Sequence, residues 1–433
     1  MTEQKSIRSA LLGLGTVGGG VYKLLRRRAE EMPNIVGTEL EITHILVHNL
    51  EKKREGVDSA LLTDSWETIR DDPEISIVVE LMGGMEPAYT YIREALQAGK
   101  NVITANKDLI AEHGGELLDL AQAHGCDLQF GASVAGGIPI LRLLKQSLAG
   151  NEITEIMGIV NGTTNYILTR MTEEGMEFSE ALAKATELGY AEADPTADIE
   201  GYDAGRKMAI MASTAFHSRV TFSDVHTEGI SNITATDIKY AREMGCELKL
   251  IGVARQKNGE IEVHVNPLLL PQSHPLATVK DSFNAVFVHG DALDDAMFQG
   301  RGAGEFPTAS DVVGDIIDTA RNLVSGCTGR LGCTCYKSLR IKPIDEIESK
   351  YFLRMAVEDR PGVLAAMTKI FAQYGVSVHS VMQRGQKDKD NDTVNIIYIT
   401  HTAEEQAMRN VLDDVKALPG VLYGEPSLIR VEK

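Results

Sequence analysis

The stretch SALLGLGTVGGGVYKLLRRRAEEM, residues 9–32, decides how the first third of the chain is read. A short apolar run, Ser9–Leu12, leads into Gly13, Gly15 and Gly18 and then into an amphipathic helix. This is G-x-G-x-x-G in the strand–turn–helix context that gives the pattern meaning. Gly13 permits the tight turn, Gly15 lets the backbone approach a pyrophosphate, and Gly18 lets helix and strand pack closely. The helix N-terminus then faces the phosphates, because its first N–H groups lack partners and its dipole favours negative charge. A glycine-rich turn without a ligand is the plain alternative.

Outward from this turn the pattern alternates. A second strand is expected at about Glu41–Val47, followed by His48, Asn49, Leu50, Glu51 and the cations Lys52, Lys53 and Arg54. The acid that would bind ribose hydroxyls is missing there, and the cations lean towards NADP with its 2′-phosphate. A solvated charged turn explains them equally well, so the choice between NADP and NAD stays open. A buried strand in DPEISIVVELMGG (72–84), a helix over 86–100, and strand, turn and helix in 101–125 complete the alternation. It predicts a doubly wound parallel sheet. Thr104, Ala105, Asn106 and Lys107 fall just past a strand end, where such sheets bind ligands. Lys107 is there either as a site residue or as an ordinary surface lysine. LQFGASVAGGIPIL (128–141) reads as a strand and a glycine-rich turn able to offer carbonyls to a cation or simply to pack closely.

From about Ile153 the pattern becomes α+β. Asn161–Gly162–Thr163–Thr164–Asn165 links a strand to a helix. Then ELGYAEADPTADIEGYDAGRKMAIMAS (187–213) places Glu192, Asp194, Asp198, Glu200 and Asp203 before and within the start of an apolar helix. Asp203 and Lys207 stand four residues apart, so both project from one helical face. Carboxylates at the mouth of a buried helix suit a small cationic or zwitterionic ligand. A capped helix start with a weak surface ion pair is the bland alternative. Strands are expected near Leu248–Val253, Glu260–Asn266 and Ala285–His289, and a glycine-rich loop at 299–308 opens a long helix. Residues 337–350 read as a charged linker. Beyond them strand, helix, strand, a polar loop (Arg384–Asp392), strand, helix and strand make βαββαβ, a ferredoxin-like unit. Pro361 and Gly362 open its first helix, suited to hold a small anionic or amino-acid ligand.

A chain of 433 residues exceeds one core. Its net charge of −19 argues against nucleic-acid or anionic-membrane partners, which need a basic footprint. No apolar run reaches membrane-span length, and the start lacks a secretory pattern, so a cytoplasmic protein is expected. Five cysteines are odd in number and sparse, so free thiols are the default; Cys327, Cys333 and Cys335 cluster but fit no standard zinc spacing.

The motifs LGYAEADPTADIEGYDAGRK, TANK, NGTTNYIL, GIP and GAGEFPTAS together resemble homoserine dehydrogenase with a C-terminal ACT domain, across essentially the whole chain. The resemblance implies a Rossmann-type NAD(P)-binding domain over 1–140 completed by a helix at 305–330. It further implies an α+β catalytic and dimerisation domain over 141–335, a linker over 336–350 and an ACT regulatory domain over 351–433. The implied activity is reversible NAD(P)-dependent interconversion of L-homoserine and L-aspartate 4-semialdehyde. Lys207 and Lys107 would be the catalytic lysines and Asp203 would orient Lys207. Glu192 and Asp198 would bind substrate, with Tyr190, Gly162 and Thr163 shaping the pocket. Gly13, Leu14, Gly15, Thr16, Val17, Gly18, Lys107 and Gly304 would touch the cofactor. The family usually has Glu where this chain has Gly131, and that Glu helps hold Na+; only the backbone positions Val134, Gly136 and Ile138 carry over. The ACT domain implies feedback by L-threonine near Asp359, Gly362, Val363 and Leu364, and a homodimer or homotetramer. Two rivals stand beside this reading: an aspartate-semialdehyde dehydrogenase with Cys126 as nucleophile, and a non-catalytic amino-acid sensor.

Overall fold

The computed structural model describes residues 6–384 and 393–432. From residue 385 onward, the polar loop expected over 384–392 lies outside the described residues. Two compact units emerge. One holds the residues up to Ile156 with Arg206–Val225 and Asn284–Leu339; the other holds Met157–Gly205, His226–Phe283 and the residues from Arg340.

The first unit contains a six-stranded sheet in the order Leu62–Thr63, Leu40–Leu46, Ile7–Leu12, Ile75–Glu80, Asn101–Thr104, Leu128–Gln129, every pair parallel. This is the 3-2-1-4-5-6 order of dinucleotide-binding sheets, with a crevice at the carboxyl ends where the order reverses. The central strands are nearly continuous in apolar residues because helices cover both faces of a parallel sheet. Leu11, Leu12, Ile77, Val78 and Val79 are fully buried. The helix Glu305–Ser325 contributes Ala309, Val312, Ile316 and Ala320 to the same core, although it lies far away in sequence. It meets the helix Thr16–Arg27 closely: a Cβ on Gly20 would stand 2.9 Å from Ala309 Cβ.

In the second unit a long antiparallel hairpin joins Cys246–Lys257 to Glu260–Pro271. Its turn is Asn258–Gly259, both at positive φ, as a tight primed turn requires. The strand Leu422–Val431 lies parallel to Glu260–Pro271, with Arg430 opposite Leu268. Next come Glu348–Glu358, Thr393–Thr400 and Val378–Arg384, all antiparallel. In chain order these four strands stand 4-1-3-2. The helices Val363–Gln373 and Glu405–Lys416 supply Met367, Phe371, Met408 and Val411 to their core. The βαββαβ expectation is therefore met. The expected linker is more structured than its charge suggested. Arg340–Ile341 pairs with Glu260–Ile261, and the Arg340 guanidinium binds Glu260 and Glu346. No helix among the described residues is long and apolar enough to cross a membrane.

Candidate active site

The glycine turn has the shape its spacing implied. Gly13 sits at φ +100, and a Cβ there would press on Leu81 O at 2.9 Å; a Cβ on Gly18 would meet Gly13 O at 2.4 Å. Either substitution would force backbone apart. Gly15 is the N-cap of the helix Thr16–Arg27, with no side-chain cap and no acid in the first turn. Its surroundings are open within 4 Å. A helix start with no side-chain cap and no acid in its first turn is the kind of place a phosphate can occupy. Leu14 and Val17 are half-buried, packed against the apolar core, while Gly15 and Thr16 are exposed. A cavity of about 900 Å³ adjoins the turn; Gly15, Thr16, Lys23, Arg26, Lys52 and Arg54 are among its walls. Lys53 is not. Arg54 is fixed by donating to the carbonyls of Asn49 and Lys52 at 2.9 and 2.8 Å. Gly304, at φ +124, is the N-cap of the helix Glu305–Ser325.

At the strand ends, Thr104 and Asn106 belong to a buried polar network whose acceptor, Glu80, the sequence pattern did not single out. Thr104 donates its hydroxyl to Glu80 Oε2 at 2.6 Å. Glu80 Oε1 accepts the N–H groups of Met82 and Gly83 at 2.7 and 3.0 Å. Asn106 donates Nδ2 to Gly84 O at 2.6 Å, and its Oδ1 caps Leu109 N. Glu80 and Thr104 are fully buried, so each broken bond would strand a polar group. The network fixes where the helix Lys107–Ala123 begins, and Lys107 is its first residue. The next residue, Asp108, pairs with Arg206 at 2.8 Å, and Arg206 immediately precedes Lys207. A half-exposed pair of this kind adds little stability; its effect is to bring the starts of two lysine-bearing segments together. Lys207 itself is buried on the helix Tyr202–Phe216, with Asp203 one turn earlier.

In the second unit the acidic segment is organised by Asn161. It caps the helix Gly162–Glu174 by accepting Thr164 N at 2.8 Å. Its Nδ2 donates to Asp198 Oδ1 at 2.6 Å and to Asp203 Oδ2 at 2.9 Å. Hydrogen bonds to charged groups contribute about 1.5–3 kcal/mol each, enough to hold two like charges side by side. Asp203 is buried and Asp198 half-buried. Thr163 donates to Tyr190 O at 2.7 Å, and the Tyr190 ring stacks at a tilt on Tyr166, centroids 4.8 Å apart. Gly162 is half-buried beside them, and Glu192 and Tyr190 are exposed on the adjoining loop. The sequence reading did not name Asn161 as a cap, although an Asn between a strand and the run Gly-Thr-Thr is a signal that could have marked it. Its bridging of two carboxylates carried no such signal.

At the second glycine turn, Gly131 leaves room for carboxylates from the helix Glu305–Ser325. A Cβ there would lie 2.8 Å from Asp311 Oδ2 and 3.0 Å from Asp315 Oδ2. Asp315 accepts Gly131 N at 2.9 Å and the Arg142 guanidinium at 2.5 Å. Asp311 Oδ2 is buried without a hydrogen-bond partner. Burial, then the Asp315 charge, pushes the Asp311 carboxyl up to about 7. Val134, Gly136 and Ile138 are buried, with Thr308 Oγ1 2.9 Å from a Cβ placed on Gly136. The thiols carry no comparable organisation. Cys126 is buried and its thiol pushed up to about 11, unsuited to nucleophilic attack. Among the described residues no group of three or more His, Cys, Asp or Glu is arranged to hold a metal.

In the C-terminal βαββαβ unit, Gly362 is a left-handed N-cap at φ +96 with no side-chain cap. Val363 is buried, Leu364 and Asp359 are exposed, and Asp359 accepts Gln383 Nε2 at 3.4 Å.

Residues 13–131 match the model of the homoserine dehydrogenase NAD-binding domain, 139–317 that of homoserine dehydrogenase, and 351–420 that of the ACT domain. The homoserine dehydrogenase of Corynebacterium glutamicum is 46% identical over 98% of this chain and 95% of its own. The crystal structure of a homoserine dehydrogenase from Thiobacillus denitrificans superposes with a TM-score of 0.93, at 41% identity over 99% of each chain. A hyperthermophilic archaeal homoserine dehydrogenase in complex with NADPH gives a TM-score of 0.62 at 25% identity, over 73% of this chain and 98% of that one. The chain belongs to the homoserine dehydrogenase family, as an oxidoreductase with a nicotinamide-binding domain and a C-terminal ACT domain.

Proposed function

We propose that Lys207 is the proton donor when L-aspartate 4-semialdehyde is reduced to L-homoserine, with Lys107 as a second cation at the reacting oxygen. The observation that carries this reading is the helix Tyr202–Phe216, on which Asp203 and Lys207 stand one turn apart. A bound nicotinamide supplies or accepts the hydride. Reduction turns the carbonyl oxygen into an alkoxide, which needs a proton or a fixed positive charge at once. Lys207 gives the proton from Nζ, and in the reverse direction it takes the proton of the homoserine hydroxyl. Asp203 orients Lys207, and Asn161 holds Asp203. Glu192 and Asp198 bind the polar groups of the amino acid, and Tyr190, Gly162 and Thr163 bound its pocket. Lys207→Ala should lower kcat by roughly 10²-fold or more while NADPH binding, read by fluorescence, stays within about twofold. Near-normal kcat would remove Lys207 from this role.

For the cofactor, Gly13, Leu14, Gly15, Thr16, Val17, Gly18, Lys107 and Gly304 form the binding set, with NADP preferred over NAD. The preference rests on Lys52 and Arg54 in the cavity wall beside Gly15. It is supported by the archaeal relative in complex with NADPH. Neutralising Lys52 and Arg54 together should raise the KM for NADP about tenfold and leave that for NAD nearly unchanged, since each contact with the 2′-phosphate is a charge-assisted bond. Equal effects on both cofactors would reduce these cations to a solvated turn.

The carbonyls of Val134, Gly136 and Ile138 would hold a sodium ion, and the carboxylate beside that turn comes from Asp311 instead of residue 131. The unpartnered Asp311 Oδ2 supports this assignment. Its folded pKa is raised, so the folded state binds the proton more tightly than the unfolded chain. Stability in sodium-free buffer should then fall as pH rises from the unfolded carboxylate range through about 7. Sodium should restore the melting temperature at pH 8 in the wild type and not in Asp311→Asn. Identical sodium responses would contradict the assignment.

The ACT domain is read as a feedback device for L-threonine, bound around Asp359, Gly362, Val363 and Leu364 and the strand start near 375–377, within a homodimer or homotetramer in the cytoplasm. Residues 1–140 with the 305–330 helix would serve the cofactor, 141–335 the substrate and dimerisation, 336–350 as linker and 351–433 regulation.

A further inference from the structure

We propose that Glu228 and Arg430 are positioning residues that tie the ACT domain to the carboxylate segment of the substrate site. The inference rests on the reading of Asp198 and Asp203 as substrate-site groups. Arg430, on the last ACT strand, is 4% exposed. It binds two carboxylates: Glu405 of the second ACT helix at 2.7 Å and Glu228 at 2.7 Å. Tyr351 donates its hydroxyl to the same Glu405 at 2.9 Å. The arginine therefore joins the ACT core to a loop outside it.

That loop leads directly to the acidic segment. Glu228 N donates to Val265 O at 2.8 Å, fixing the backbone on the long hairpin. The following residue, Gly229, lies hard against the turn at 199–200: a Cβ there would fall 2.2 Å from Ile199 O and 2.6 Å from Glu200 Cα. No side chain fits, so the two backbones move together. Ile230 N then donates to Ile199 O at 2.8 Å, and Ser231 donates Oγ to Glu200 Oε1 at 2.5 Å. Residues 199 and 200 directly follow Asp198, whose carboxylate shares the Asn161 amide with Asp203.

A second anchor between the ACT domain and the rest of this unit lies elsewhere. Arg354, on the first ACT strand, pairs with buried Asp237 on the helix Ala235–Glu243 at 2.6 Å. Among the described residues its side-chain hydrogen bonds go to Asp237 and Thr234 and not to 198–203, so it separates general attachment from the specific route.

Glu228→Gln removes the charge facing Arg430 and leaves the Arg430–Glu405–Tyr351 cluster intact, so the ACT fold is kept; melting temperature and circular dichroism verify this. Steady-state kinetics of the full-length enzyme should show the homoserine KM raised about five- to tenfold, with the NADP KM within about twofold, the size of a typical coupling. Ser231→Ala should move KM in the same direction, and Arg354→Met should not. Threonine titration of Glu228→Gln should show a weakened response beside wild type. A wild-type enzyme indifferent to threonine would remove the feedback reading and leave the positioning proposal to the KM measurement. Unchanged homoserine KM in Glu228→Gln, or an equal rise in Arg354→Met, would overturn the proposal.

Discussion

The Asn161 amide is the interaction on which the carboxylate site depends. Two aspartates, one buried and one half-buried, would repel each other and resist desolvation if left alone. One Nδ2 group donates to both, and the same side chain closes the open end of the helix Gly162–Glu174 through Oδ1. A single residue thus sets the helix start, the distance between the acids and the direction of the Asp203 carboxylate. Asp203 in turn sits one helical turn before Lys207.

The nucleotide-binding sheet follows a parallel logic. Its loops are specified less by their own sequences than by buried acceptors at the strand ends. Glu80 takes the N–H groups of Met82 and Gly83 and the hydroxyl of Thr104, so a loop and a helix start are fixed by one carboxylate. A carboxylate so buried is tolerated because its lone pairs are satisfied by fixed donors. The result is a rigid rim beside the glycine turn, the condition for holding a cofactor in one pose.

Much of this was legible in the sequence because it rests on short-range rules. Gly13 and Gly18 announced the turn since only glycine avoids the backbone at 2.9 and 2.4 Å. The βαββαβ order followed from alternating apolar residues and from the Pro361–Gly362 helix start. The roles of Glu80, Asn161 and Arg430 were hidden because each also acts through a partner distant in sequence: Glu80 reaches Thr104, Asn161 reaches Asp203 and Arg430 reaches Glu228. The strand Asp294–Arg301 also escaped notice, since its polar sequence DDAMFQGR carries weak strand character. The linker at 337–350 looked loose because its charge obscured Arg340, which is held by two glutamates.

Steady-state kinetics of Asn161→Ala, paired with NADPH binding by fluorescence, tests the central claim most directly. The account predicts a fall in kcat/KM for homoserine of about 10²-fold, because the loss of a bond to two charges costs roughly 1.5–3 kcal/mol each. It also predicts an unchanged Kd for NADPH, since the glycine turn lies outside this network. Homoserine kinetics close to wild type in folded Asn161→Ala would contradict it.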